Sequence, residues 1–109
     1  MERDTALQLL ASSRDTLQGK YGVSALGLFG STARNQAADN SDIDLLAHFD
    51  GAVNSKRYFG ALFFLEDLFQ RPIDLVTDKA LRPELRPYIE EDLIHVWKPV
   101  HTKLEAVHQ

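Results

Sequence analysis

Helical and extended segments alternate along this chain, which predicts one α/β (α+β) domain: a small mixed sheet with helices packed against it. Three observations carry that expectation. The 109 residues, 44% hydrophobic and 26% charged, are enough for a single core of ordinary globular composition. Apolar residues recur at helical spacing in two stretches, near residues 3–18 and 55–69. Short runs rich in Val, Ile, Leu and Phe lie between and after them, bounded by Gly, Pro, Asn and Asp.

Each element has its own justification. From about Arg3 to Gln18, the residues Ala6, Leu10, Ser13 and Leu17 align as one helical stripe, with Gly19 and Gly22 as stop signals. Val23 to Phe29 has little charge and reads as a strand buried on both faces. Ser31 to Asn35 has the length of a short helix whose first turn Ser31 would cap. Gln36 to Ser41 is small and polar, hence a loop, and Asp42 to Phe49 is a second strand ended by Asp50-Gly51. Ser55 to Phe69 is the clearest helix. Arg71-Pro72 breaks it, and Ile73 to Thr77 is a third strand. Pro83 to Glu91 suggests a short helix with Pro83 near its first turn; Leu93 to Trp97 is a last strand, with Trp97 packed on the sheet edge. The domain then spans residues 1–100, and 101–109 form a polar tail.

Composition narrows the class. Sixteen acids against twelve Lys and Arg give a net charge of -4, which argues against direct nucleic-acid binding but leaves room for a nucleotide held through Mg²⁺. Cysteine is absent, which excludes disulfides and Cys-ligated zinc. The N-terminus has Glu2 and Asp4 and no apolar stretch of signal-peptide type, and no run has the length of a membrane span. A cytoplasmic protein with no membrane partner is the expectation.

The long helix is unusually apolar. Tyr58, Ala61, Leu62, Leu65 and Phe69 form one face, Phe59 and Phe63 widen it, and Phe64 lies on the far side with Leu68 between. Two readings stand: a wide core face with one exposed aromatic, or an outer face that binds a protein partner.

The chemistry-bearing residues sit at the strand ends. Gly30 removes a Cβ where the backbone turns and lets a phosphate approach main-chain N–H groups, and Ser31 adds a hydroxyl there. No Gly-Lys-Ser/Thr follows, so this is not a Walker loop, and alone it would serve as a helix cap. Asp42 and Asp44 alternate with Ile43 and Leu45, so on a strand both carboxylates face the same way, roughly 6–7 Å apart at Cα. Side-by-side carboxylates repel, a cost that a bridging hard cation removes; a solvated strand face is the plainer alternative. Asp74, between Ile73 and Leu75, must project away from the core. If its strand pairs beside the Asp42–Asp44 strand, three carboxylates converge where two Mg²⁺ ions could serve a phosphate displacement. Otherwise Asp74 is an edge-strand charge that discourages aggregation.

Gly30-Ser31, ten intervening residues, Asp42-Ile43-Asp44 and the later Asp74 together resemble the nucleotidyltransferase signature of the polymerase-beta superfamily, in its minimal nucleotidyltransferase subgroup. The likeness runs from about Tyr21 to Lys98. One departure is Asn35, where many relatives have Gly; Asn tolerates a left-handed backbone, so the turn should survive. The resemblance implies the polymerase-beta-like fold, catalysis and metal binding by Asp42, Asp44 and Asp74, and nucleotide binding by Gly30 and Ser31. It also implies two Mg²⁺ ions, ATP as substrate, and a HEPN-domain ribonuclease toxin as partner, silenced by AMP transfer to a tyrosine. An antitoxin that neutralises its toxin by contact alone, and a transferase for small molecules of antibiotic type, are the alternatives.

Supporting residues divide less sharply. Arg34 either reaches the nucleotide or is an exposed helix-end arginine. Lys56 and Arg57 either touch the triphosphate or are a solvated cationic pair. His48, His95, His101 and His108 lack a metal-ligand spacing on one helix face; His48, ending the acid-bearing strand, either supports the site or is structural.

Overall fold

The computed structural model describes residues 1–38 and 41–98. The tail expected at 101–109, with His101 and His108, and two residues of the 36–41 loop lie outside the described residues. The elements run α1 (Arg3–Ser12), α2 (Arg14–Tyr21), β1 (Val23–Phe29), α3 (Gly30–Ala33), β2 (Ile43–Phe49), α4 (Ser55–Phe69), β3 (Ile73–Thr77), α5 (Arg86–Asp92) and β4 (Ile94–Trp97). The expected mixed sheet forms, in the order β3-β2-β1-β4. β1 is antiparallel to both β2 and β4, whereas β2 and β3 are parallel. A parallel pair needs a crossover, and α4 supplies it.

Alternation along β2 divides the sheet into two faces. Ile43, Leu45, Ala47 and Phe49 are buried in the main core with Ala6 and Leu10 of α1, Leu17 of α2, and Ala61, Leu65 and Phe69 of α4. Asp44, Leu46 and His48 occupy the other face and are only half-buried. The segment joining β3 to β4 must cross from one edge of the sheet to the other, and it does so over this second face. There, a Cβ on Gly27 of β1 would come within 2.5 Å of Leu93 Cδ1, so the strand accommodates Leu93 only because it has glycine at that point.

Several elements depart from expectation in instructive ways. The first helix is broken at Ser13, whose buried hydroxyl donates to the Leu10 carbonyl at 2.7 Å while its backbone N–H bonds to Leu9 and Leu10. The predicted stripe Ala6, Leu10, Ser13 and Leu17 is nonetheless wholly buried. Gly19 does not stop the helix; Gly22, at φ 73°, does. Ser31 does not cap α3: Phe29 is the N-cap and no side chain bonds there. Asn35 does adopt the left-handed conformation expected of it, at φ 60°. Pro83 falls in a turn and Pro87 takes the first turn of α5 instead.

On α4, Asn54 caps the N-terminus by accepting from Arg57 N–H at 2.8 Å, and Gln70 closes the C-terminus at φ 54°. The outward aromatics are Phe59 and Phe63, 47% and 61% exposed, whose rings stack at 6.0 Å. Phe64, expected on the far side, packs 6.1 Å from the Tyr21 ring of α2, so the core side of this helix is rotated toward α2. Trp97 is buried on edge strand β4 and donates its indole N–H to the Val23 carbonyl at 3.1 Å. Among the described residues no helix is long and apolar enough to cross a membrane.

Truncating Leu65, 1% exposed, to Ala should cost about 2–5 kcal/mol of unfolding free energy in urea titration. Phe63→Ala, on the exposed side of the same helix, should stay within about 0.5 kcal/mol.

Candidate active site

Strand register assembles the site. β2 and β3 are paired so that Ile43 lies against Ile73 and Asp44 against Asp74. In-register parallel neighbours project from the same face about 4.8 Å apart, so the two carboxyls meet on the open face. On the other side of β2, Asp44 pairs with Phe29, the last residue of β1, which brings Gly30 alongside. Gly30 has φ 76°, and a Cβ there would sit 2.2 Å from Asp44 Oδ2. Glycine is required twice over, for the left-handed turn and for the space the carboxylate occupies. Asp42 stands just ahead of β2 and is exposed.

The electrostatics follow from that crowding. Burial, then the charges of Asp74 and Asp42 and a hydrogen bond with Asp74, push the Asp44 carboxyl up to about 6; Arg34 opposes the rise. Tyr58, whose hydroxyl donates to the Leu75 carbonyl, also has a raised pKa, from burial and then from the Asp74 charge. Negative charge is therefore concentrated at the head of β2 and β3. Among the described residues no three His, Cys, Asp or Glu side chains close into a ready-made metal cage. A hard cation held by one or two carboxylates and completed by phosphate oxygens does fit this donor set, since crowded carboxylates gain most from it.

A left-handed turn at Gly30, a like-charge acid pair on adjoining parallel strands and a third acid beside them suit transfer of a phosphorus group. A family model described as a nucleotidyltransferase domain matches residues 10–96. The chain belongs to the nucleotidyltransferase family. A protein of Methanocaldococcus jannaschii named among the protein adenylyltransferases is 37% identical over 89 residues, 81% of this chain and 91% of its own length. Protein adenylyltransferase MntA of Thermococcus cleftensis is 26% identical over 88 residues, 81% of this chain and 89% of its own. Among solved structures, a minimal nucleotidyltransferase superposes with a TM-score of 0.73 at 29% identity, covering 86% of this chain and 95% of that one. One chain of the complex between a tri-AMPylated Shewanella oneidensis HEPN toxin and an MNT antitoxin superposes with a TM-score of 0.63 at 16% identity, over 89% of this chain and 76% of that one, a likeness of fold. The polymerase-beta-like fold expected from the motif is thus the fold found.

The remaining side chains of this nucleotidyltransferase sort themselves by partner. Arg34, at the end of α3, pairs with Asp92 of α5 and donates to Gln36 Oε1 at 3.2 Å, while its charge opposes the rise at Asp44. Arg57 is not a solvated cation but is held by backbone carbonyls. It donates to the carbonyls of Tyr21, Gly22 and Ala52, tying the end of α2 to the start of α4. His48 Nδ1 is 2.7 Å from Asp78 Oδ2, a pairing thirty residues apart that its position in the chain did not reveal. The only signal available was the period-2 alternation that put His48 on the face of Asp44.

For the metal-free protein, the raised Asp44 pKa fixes the sign of a pH effect. Asp44 binds its proton more tightly folded than unfolded, so its contribution to stability is present below pH 3.8 and is lost as pH rises through about 6. Asp44→Asn should therefore melt higher than wild type at pH 7.5, with the gap closing by pH 4. Gly30→Ala should unfold at least about 1 kcal/mol more easily in denaturant, because its backbone conformation disfavours a side chain and its Cβ collides with Asp44.

Proposed function

We propose that this nucleotidyltransferase moves AMP from ATP to a tyrosine hydroxyl of a HEPN-domain ribonuclease toxin, and so acts as its antitoxin. The observation that carries the reading is the β2–β3 register, which sets Asp44 against Asp74 with Gly30 on the opposite flank. A structural relative bound to AMP-PNP within a toxin–antitoxin pair, and relatives named as protein adenylyltransferases, support ATP as donor and a protein as acceptor.

Asp42, Asp44 and Asp74 would hold Mg²⁺, in two-ion fashion, and the bound metal would supply charge neutralisation between carboxylates and phosphates. The main-chain N–H groups at Gly30 and Ser31 bind the β- and γ-phosphates, where glycine permits close approach. Asp74 takes the proton from the acceptor hydroxyl. The acceptor oxygen forms a bond to the α-phosphorus, the bond from that phosphorus to the leaving oxygen breaks, and pyrophosphate departs. Arg34 exchanges Asp92 for a phosphate oxygen when nucleotide arrives.

Co-expression with a candidate HEPN-domain partner tests this. Intact mass spectrometry of the co-purified toxin should show whole AMP additions with wild type and none with Asp42→Asn plus Asp44→Asn. A toxin of unchanged mass that wild type still neutralises would falsify transfer and leave inhibition by contact.

A further inference from the structure

The second face of the sheet holds more than the acids. Beyond Asp44 on β2, a cavity of about 350 Å³ opens between the sheet and the segment that crosses to β4, a volume in the range of small-ligand sites. Ala25 and Gly27 of β1, Leu46 of β2 and Leu93 line it together with the Arg86–Glu90 ion pair of α5. At its far end stand His48 and Asp78, joined by the 2.7 Å hydrogen bond. The Asp78 backbone is itself pinned, its N–H donating to the Ala47 carbonyl at 3.0 Å. Leu46 and His48 follow Asp44 by two and four residues, about 7 and 13 Å along the strand.

The in-line geometry of phosphoryl displacement limits where each part of a nucleotide can lie. Gly30 flanks β2 on the β1 side and Asp74 on the β3 side. With pyrophosphate leaving over one and the acceptor entering over the other, the ribose and base must leave the α-phosphorus in a third direction. Down the face of β2, that direction leads into the cavity. We propose that the cavity holds the nucleoside half of the nucleotide and that His48, positioned by Asp78, reads the amino edge of the base. The assignment rests on the nucleotidyl-transfer reading of the acids.

The chemistry of the pair gives the preference its sign. A carboxylate only accepts, so in the uncharged ring Asp78 selects the tautomer with the proton on Nδ1 and a lone pair on Nε2. Nε2 then accepts from the exocyclic amino group of adenine or cytosine. Guanine and uracil present a carbonyl oxygen at the corresponding edge, which meets that lone pair with no proton between them. Leu93 covers Gly27, so the room for a ring lies beside it, over Ala25 and toward His48.

Competition binding with Mg²⁺ decides the matter, using ATP, CTP, GTP and UTP together with inorganic tripolyphosphate, which has no nucleoside. Wild type should bind ATP and CTP about tenfold more tightly than GTP and UTP. His48→Ala should erase that discrimination. Ala25→Leu, which fills that room, should weaken all four nucleotides about tenfold or more, with tripolyphosphate affinity unchanged in both variants. Unchanged tripolyphosphate binding also reports an intact fold. If neither variant separates nucleotides from tripolyphosphate, or if His48→Ala leaves discrimination as it was, the cavity assignment is wrong. Transfer of label from α-labelled ATP to the partner is read separately. Label transfer without any effect of the two variants defeats the cavity assignment alone; absent transfer defeats the reading beneath it, while nucleoside-dependent binding still decides the cavity.

Discussion

Everything at the working end of this protein depends on the parallel pairing of β2 with β3. Parallel strands in register set like positions side by side on one face, so Asp44 and Asp74, thirty residues apart, share a boundary. That pairing exists because α4 makes the crossover and buries Ala61, Leu65 and Phe69 beneath the same two strands. A slip of one residue would turn Asp74 into the core and Ile73 out of it, which the burial of Ile73 and Leu75 forbids. The hydrophobic side of the sheet thereby sets the geometry of its acidic side.

The acidic side is held under electrostatic stress. Burial and two neighbouring carboxylates raise Asp44, and Arg34, whose charge opposes the rise, is shared with Asp92. A site built only for stability would disperse such charges or pair them. Here Gly30 is stripped of a side chain so that the carboxylate can stay where it is. Stress concentrated at a strand end, beside the left-handed turn at Gly30, is expected where binding supplies the missing positive charge.

The sheet's two faces thus have separate duties. One carries the core and the helices; the other, traversed by the β3–β4 connection, has the acids at one end and the His48–Asp78 pair at the other. The stacked Phe59 and Phe63 on α4 belong to neither face. Of the two readings of the long helix, a core face with one exposed aromatic falls short, since both Phe59 and Phe63 are exposed. The uncovered aromatics differ from those its helical wheel suggested, because α2 lies against the helix and takes Phe64.

What the chain determined by itself are its local quantities. Strand and helix order, the turn at Gly30, the left-handed Asn35, the inward Ile43 and Leu45 and the outward acids all follow from spacing and from the conformational range of each residue type. Tertiary structure decided whatever depends on residues distant in sequence. Arg57 and Lys56 look alike at the start of α4, yet Arg57 meets the Tyr21 and Gly22 carbonyls, which the packing of α2 against α4 brings within reach. His48 gained its partner only when the segment after β3 was laid beside β2, and Arg34 only when α5 approached α3. Side-chain alternation tells which way a residue points; only chain packing tells what it finds there.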